Sequence, residues 1–332
     1  MTRSLSALLN PERFQGHGKT RSYFEGWYFK LVSPEGRSIA VIPGIAFDET
    51  GAGHAFVQVL DGNNKSSRYL KFPVNSFMAS SDRFLVTVGG SVFSDRQLTL
   101  NLDGLEGSVM LNNTIGWPKP WYSPGIMGPF AFIPFMECYH GIVSMDHGLE
   151  GYLTLAGERI DLNGGRGYVE KDWGRSFPSA YTWMQSNHFS TPGISLKCSV
   201  ARIPWLGSSF TGFIAGCWLG DRLIRFTTYN RSALRKCLIS EQQVEIALRN
   251  PDYDLDITAT REQATMLASP IRGAMEGRIQ ETMDARLTVK LTRRSDGATI
   301  LDDTGVHAGL EVAGEVERIA VSRKQETVSS KQ

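Results

Sequence analysis

The sequence predicts an all-β protein built from antiparallel strands, and three observations support this. Extended apolar segments recur roughly every ten residues along most of the chain, the rhythm of a barrel or sandwich. Gly, Asp, Asn and Pro punctuate them. Helical periodicity is tolerated only in the first ten residues and around Ala264–Met275. In order, "YFEGWYFKLV" and "RSIAVIPGIAF" flank the turn Ser33-Pro34-Glu35-Gly36, and "HAFVQVL" and "RYLKFPV" flank "DGNNKSS". "RFLVTV", "SVFS", "QLTLNL" and "GSVMLNN" follow, with Gly89-Gly90 and Asp103-Gly104 as turn signals. A Pro-rich aromatic stretch from Trp117 to Phe135 interrupts the rhythm before "YHGIVSM", "GLEGYLTLAG" and "RIDLNG" resume it. The second half continues with "YTWMQSNHF", "ISLKCSVARI", "SFTGFIAGCWL", "RLIRFTTYN", "EQQVEIAL", "YDLDITAT" and "ARLTVKLT". The ending "RKQETVSSKQ" is polar and free of aromatics, the composition of a disordered tail.

A chain of 332 residues with 41% hydrophobic content forms one large domain or two of ordinary size. Its net charge of +1 provides no electrostatic footprint for nucleic acid or an anionic surface. Cys138, Cys198, Cys217 and Cys237 contain no CxxC pair and read as small buried hydrophobes. No signal peptide or spanning segment is evident, so the cytoplasm is expected, with any lipid contact peripheral.

Two segments share a pattern. Arg21-Ser22-Tyr23-Phe24-Glu25-Gly26-Trp27 and Arg166-Gly167-Tyr168-Val169-Glu170-Lys171-Asp172-Trp173 repeat the order Arg, Tyr, Glu, Trp after 145 positions. Either the match is chance, or each segment opens one copy of a duplicated barrel. Duplication predicts barrels over 18–165 and 166–320, followed by a disordered tail over 321–332.

Several chemistries lack their residues. Gly164, Gly165 and Gly167 have neither the Lys-Ser/Thr ending nor the following helix of a phosphate loop. The six histidines form no HxH or HExxH pattern, so no metal is expected. No Gly-x-Ser-x-Gly elbow occurs. What remains is carboxylates set among aromatics. In extended backbone Tyr23, Glu25 and Trp27 share a face, as do Tyr168, Glu170 and Asp172, and as do Tyr181, Trp183, Gln185 and Asn187. One reading is structural, with Arg21 and Arg166 pairing Glu25 and Glu170. The other is a barrel holding an apolar ligand, in which a desolvated carboxyl stays protonated at neutral pH. Such an acid can protonate an alkene, and aromatic faces stabilise the resulting cation. The same lining equally suits a lipid-binding cup.

In "YFEGWYFK", "GPFAFIPFMECYHGIVSM" and "YVEKDWGRSFPSAYTWMQSNHF" the chain resembles the tocopherol cyclase-like family. The Tyr-x-acid before Trp-Gly is more remotely similar to the carotenoid hydratase group, which implies two lipocalin-like β-barrels in tandem joined by the aromatic Pro/Gly-rich segment. Both groups protonate an isoprenoid double bond, after which a phenol oxygen closes a chromanol ring in the cyclase and water adds in the hydratase. The resemblance implies a cofactor-free cyclase, an isomerase, acting on a prenylated aromatic or isoprenoid lipid. It implies Glu170 as proton donor, or Asp172 if the strand register differs. Tyr168 and Trp173 would orient substrate or stabilise the cation, with Trp27, Glu25, Trp183, His140 and Asn187 as lining. The Trp expected two residues after His140 is Ile142 here. Plant cyclases carry a plastid-targeting segment, and its lack fits a bacterial member. A non-catalytic lipid carrier and a hydratase remain the rival readings.

Overall fold

The computed structural model describes residues 5–321 and is nearly all β. The expected tail lies outside the described residues except for Val321, which bridges Cys237. A short helix, Leu5–Leu9, precedes the strands.

The first sheet contains β1 (Tyr23–Val32), β2 (Ser38–Phe47), β3 (Gly53–Asp61), β4 (Ser66–Phe72), β5 (Phe77–Ala79), β6 (Leu85–Val88), β7 (Ser91–Ser94), β8 (Gln97–Leu102), β9 (Leu105–Asn112), β10 (Cys138–Leu155), β11 (Glu158–Asp161) and β12 (Arg166–Gly174). Its order is β4-β3-β2-β1-β12-β10-β9-β8-β7-β6-β5, with β11 on β10. The second contains β13 (Ala180–Ser186), β14 (Ile194–Trp205), β15 (Ser208–Leu219), β16 (Leu223–Thr227), β17 (Ala233–Ile239), β18 (Gln243–Arg249), β19 (Tyr253–Thr260), β20 (Thr265–Ile271), β21 (Ala274–Arg293) and β22 (Thr299–Gly314). Here the order is β16-β15-β14-β13-β22-β21-β19-β18-β17, with β20 on β21. All pairings are antiparallel, in two lipocalin-like units in tandem.

Each sheet wraps its own apolar core. Phe29, Val57, Phe93, Leu98 and Val169 are among the side chains filling the first. Leu196, Phe226, Ile246, Leu287 and Leu310 are among those filling the second. A third cluster, with Tyr28, Ile142, Tyr168, Tyr181, Trp183 and Ile279, draws on both sheets. That interface explains why β1 reads as a near-continuous aromatic run. One face packs into its own core and the other meets the second sheet, so nine of its ten residues are buried. β21 instead alternates buried and exposed over most of its length, because one face is solvated.

Three expectations are corrected here. The segment from Arg166 is the central strand β12 of the first sheet, paired with β1 and β10, and the second sheet begins at Ala180. By hydrogen bonding, the division falls after Gly174 rather than at 165/166. The two matching motifs are neighbouring antiparallel strands, with Glu25 opposite Trp173 and Tyr28 opposite Glu170, and do not open separate copies. Ala264–Met275 is not helical. It forms the β20–β21 hairpin, whose turn residues Arg272 and Gly273 have φ of 48° and 88°, the left-handed pair that suits a two-residue turn. A Cβ on Gly273 would lie 2.0 Å from the Phe47 carbonyl oxygen, so only glycine lets this turn seat against β2.

The aromatic segment between β9 and β10 also reaches across. Tyr229 donates to the Ile126 carbonyl at 2.7 Å, and Phe130 packs against Trp205, Phe210 and Tyr229.

Candidate functional site

β12 occupies the centre of the first sheet, so both its faces are enclosed and its alternation sorts side chains into two environments. Val169, Lys171 and Trp173 point one way with Trp27 and Glu25; Tyr168, Glu170 and Asp172 point the other with Tyr28 and Lys30, following the β1–β12 register. Only the second face meets the other sheet.

Between the sheets lies an apolar cavity of about 190 Å³. Phe24, Ile42, Phe56, Met127, Phe130, Met136, Phe177, Phe210, Phe213 and Ile279 contribute apolar wall, and Glu170, Asp172, His140, Tyr181, Trp183 and Glu311 are among the residues that contribute polar groups.

Glu170 is 5% exposed. Its Oε2 accepts from the Tyr168 hydroxyl and from the Trp183 indole N–H at 3.0 Å. Cross-strand pairing sets His140 opposite Asp172, and His140 Nδ1 lies 2.7 Å from Asp172 Oδ1. His140 Nε2 is 3.5 Å from Glu170 Oε2 and has no hydrogen-bond partner. Burial pushes the Glu170 carboxyl up from its ordinary value; His140 opposes this and Asp172 adds to it. The carboxyl therefore holds its proton to a higher pH than a free glutamate does.

Three residues expected in the lining sit on the opposite face. Glu25 pairs with Lys171 at 2.5 Å, both wholly buried, and accepts from the Gln15 backbone N–H at 2.9 and 3.0 Å and from the Tyr23 hydroxyl. Lys171 lies over the rings of Trp27 and Trp173, at 4.9 and 4.5 Å, and donates to the Pro11 carbonyl at 2.9 Å and to that of Arg13. Trp27 donates to the Glu12 carbonyl at 2.9 Å. Glu25, Trp27 and Trp173 thus strap residues 11–15 onto the first sheet. The expected arginine partners are also displaced, since Arg166 pairs with Asp146. Asn187 holds Asp146 Oδ1 at 2.9 Å and the Gly167 carbonyl at 2.8 Å, away from the cavity. Tyr168 is wholly buried behind Glu170 and anchors it. Of the cysteines, Cys138 departs from expectation: it is only half-buried and lines the cavity.

Two further phenol–carboxyl pairs escaped the sequence reading. Tyr28 donates across the sheets to Glu281 Oε1 at 2.5 Å, and Tyr181 donates to Glu311 Oε2 at 2.8 Å. Burial raises the Glu281 carboxyl to about 7 and pushes that of Glu311 well up, Glu281 adding to the latter. Lys197, buried beside the site, donates to Ser199 Oγ at 2.7 Å, and burial lowers its pKa. Glu281 did leave a signal: in "GRIQETMDARL" it occupies the inward parity with Ile279, Met283 and Ala285, an acid where the pattern demands an apolar residue.

Among the described residues, one grouping has donor types suited to a metal: His140, Glu170 and Asp172 offer atoms within 4.8 Å of one another. Glu170 Oε2 already receives two donors and His140 Nδ1 is bonded to Asp172, while His140 Nε2 has no hydrogen-bond partner.

The family model of tocopherol cyclase-like proteins matches residues 105–314. The chain belongs to the tocopherol cyclase-like family. It is 25% identical over 366 aligned residues to a probable tocopherol cyclase, chloroplastic, of Oryza sativa subsp. japonica, covering 90% of this chain and 76% of the relative. A tocopherol cyclase, chloroplastic, of Zea mays is 24% identical with the same coverages. Among solved structures, CghA with Sch210972 aligns with a TM-score of 0.56 at 12% identity, covering 88% of this chain and 89% of that one. Kievitone hydratase from Nectria haematococca aligns at 0.50 and 11% identity with the same coverages. These two likenesses show the shared fold. No described helix is long and apolar enough to cross a membrane.

Proposed function

We propose that this protein is a cofactor-free cyclase that closes a ring on a prenylated aromatic substrate by protonating its alkene. The observation that carries the reading is a carboxyl, Glu170, buried at the wall of an aromatic-lined cavity with two hydrogen-bond donors on one of its oxygens. Those donors stabilise the carboxylate that remains after the proton leaves, while burial pushes the carboxyl's pKa up from its ordinary value and so favours the acid form.

The proton passes from Glu170 to an alkene carbon, leaving a cation on the more substituted neighbour. The faces of Trp183, Phe24, Phe177 and Tyr28 supply negative quadrupole without a competing nucleophile. A substrate phenol oxygen forms the C–O bond, and its proton returns to the Glu170 carboxylate, so the net reaction is an isomerisation. His140, 3.5 Å from Glu170, steadies the transient negative charge. Asp172 takes a positioning part through His140, and Tyr168 acts as the anchor of the acid.

The cavity walls include Met127, Phe130 and Met136, and the same segment exposes Trp121, Tyr122 and Phe135. In this reading those three rings meet a lipid surface peripherally, Trp and Tyr favouring the interface. The four unpaired cysteines suit a reducing cytoplasm.

The test is turnover of prenylated quinols in heavy water, followed by mass spectrometry. One deuterium in a ring-closed product is expected. Tight binding of substrate with no product would replace the cyclase with a carrier, and oxygen from labelled water in the product would replace it with a hydratase.

A further inference from the structure

The cavity holds more acid than one protonation requires. Glu311 lines it alongside Glu170, yet the two reach it from different sheets. Pairing of β13 with β22 sets Glu311 directly opposite Trp183, the residue whose indole N–H reaches Glu170. The two carboxyls therefore flank one indole. Tyr181, two residues from Trp183 on the same face, donates to Glu311 Oε2 at 2.8 Å, and Oε1 is the carboxyl's other oxygen.

We propose that Glu311 and Tyr181 form an oxygen-binding subsite in the cavity, one that holds the ring hydroxyl of a hydroxyarene substrate next to the alkene-protonating acid. This rests on the cyclase reading above and assigns the part of the substrate that Glu170 does not touch.

Two observations support it. First, among the described residues no cation forms an ion pair with Glu311, whereas Glu25 on the opposite face of the first sheet is locked to Lys171. A carboxyl placed purely for structure is usually paired. Second, Glu281 stands opposite Glu311 across β21 and β22, and burial together with this neighbouring acid pushes the Glu311 carboxyl well up, favouring its acid form. A neutral carboxyl offers one donor and one acceptor, which is what a phenolic hydroxyl needs. The wall formed by Met127, Phe130, Phe210 and Phe213 then remains for the prenyl tail. In the ring closure the held oxygen is the one that forms the C–O bond, and its proton goes to the Glu170 carboxylate; Glu311 and Tyr181 only bind and orient it.

The experiment compares two ligands by calorimetric titration: a prenylated hydroquinone, and the same molecule with both ring hydroxyls replaced by hydrogen. Wild-type protein is expected to prefer the hydroquinone by on the order of tenfold. Glu311→Leu should erase the preference by weakening the hydroquinone alone, and Glu311→Gln, which keeps a donor and an acceptor, should retain most of it. Tyr181→Phe preserves packing and should lower the preference severalfold, so the idea does not depend on the leucine variant folding. An undiminished preference in Glu311→Leu or Tyr181→Phe overturns the subsite. Equal wild-type affinity for both ligands overturns it while leaving the hydrophobic-substrate reading in place. Binding of neither ligand overturns both.

Discussion

Replacing Glu170 by Gln removes the transferable proton and little else. The amide keeps the shape and leaves an oxygen to accept from Tyr168 and from Trp183, whose N–H now sits 3.0 Å from Oε2. Its NH₂ takes the other carboxyl position, so substrate affinity should hold within about threefold, the change expected for exchanging one neutral hydrogen-bonding group for another. Loss of a general acid typically costs 10² to 10⁴ in rate, so kcat should fall by roughly that factor, about 3–5 kcal/mol of barrier. Thermal stability should stay equal or rise, because an ionisable group leaves a desolvated position. The pH profile gives an independent check. The Glu170 pKa is raised, and the acid form is the active one, so wild-type kcat should decline as pH rises through that value. The assay is single-turnover conversion of a prenylated quinol, with Kd measured separately. If Glu170→Gln retains kcat within a few-fold while Asp172→Asn abolishes it, the donor is Asp172. If both variants turn over normally, proton donation by this wall is wrong.

The remaining predictions address separate parts of the structure. Trp183→Phe removes the indole donor to Glu170 Oε2, so the carboxylate becomes harder to form and the alkaline limb of the kcat profile should move to higher pH; an unmoved limb would show that the indole does not tune the acid. Glu281 has its folded pKa raised to about 7, so its stabilising contribution is complete below the unfolded value near 4.5 and is lost as pH rises to about 7. Denaturant unfolding of wild type against Glu281→Gln should therefore reveal a difference growing over that window by at most about 3 kcal/mol; a pH-independent difference would contradict it. Lys171→Met strands the Glu25 charge and two backbone carbonyls, for a loss of about 3–5 kcal/mol and faster proteolysis near Arg13, with ligand preference unchanged because this face lies away from the cavity. Treatment with EDTA should leave turnover intact, and an activity lost to chelation and restored by one divalent cation would place a metal among His140, Glu170 and Asp172.

The residue pattern by itself determined the antiparallel β class, because turn residues and short extended runs are local properties that pairing does not alter. It also pointed to Glu170, Asp172 and Trp183, and the family resemblance added His140; all four line one cavity. What it could not decide was which strands become neighbours. Alternation says which residues share a face, but the use of that face depends on a partner strand distant in sequence. Glu25 and Glu170 sit in nearly the same local motif. Yet pairing of β1 with β12 turned one onto the Lys171 strap and the other into the cavity. Read as repeats, the motifs suggested two copies, whereas the hydrogen bonds make them adjacent. Glu281 and Glu311 joined the site only because β21 and β22 bring them beside β13, positions about 100 residues or more after Trp183 along the chain. Chemistry-bearing residue types were thus written locally, but their convergence was a long-range decision, made by which apolar faces the two sheets had to bury against each other.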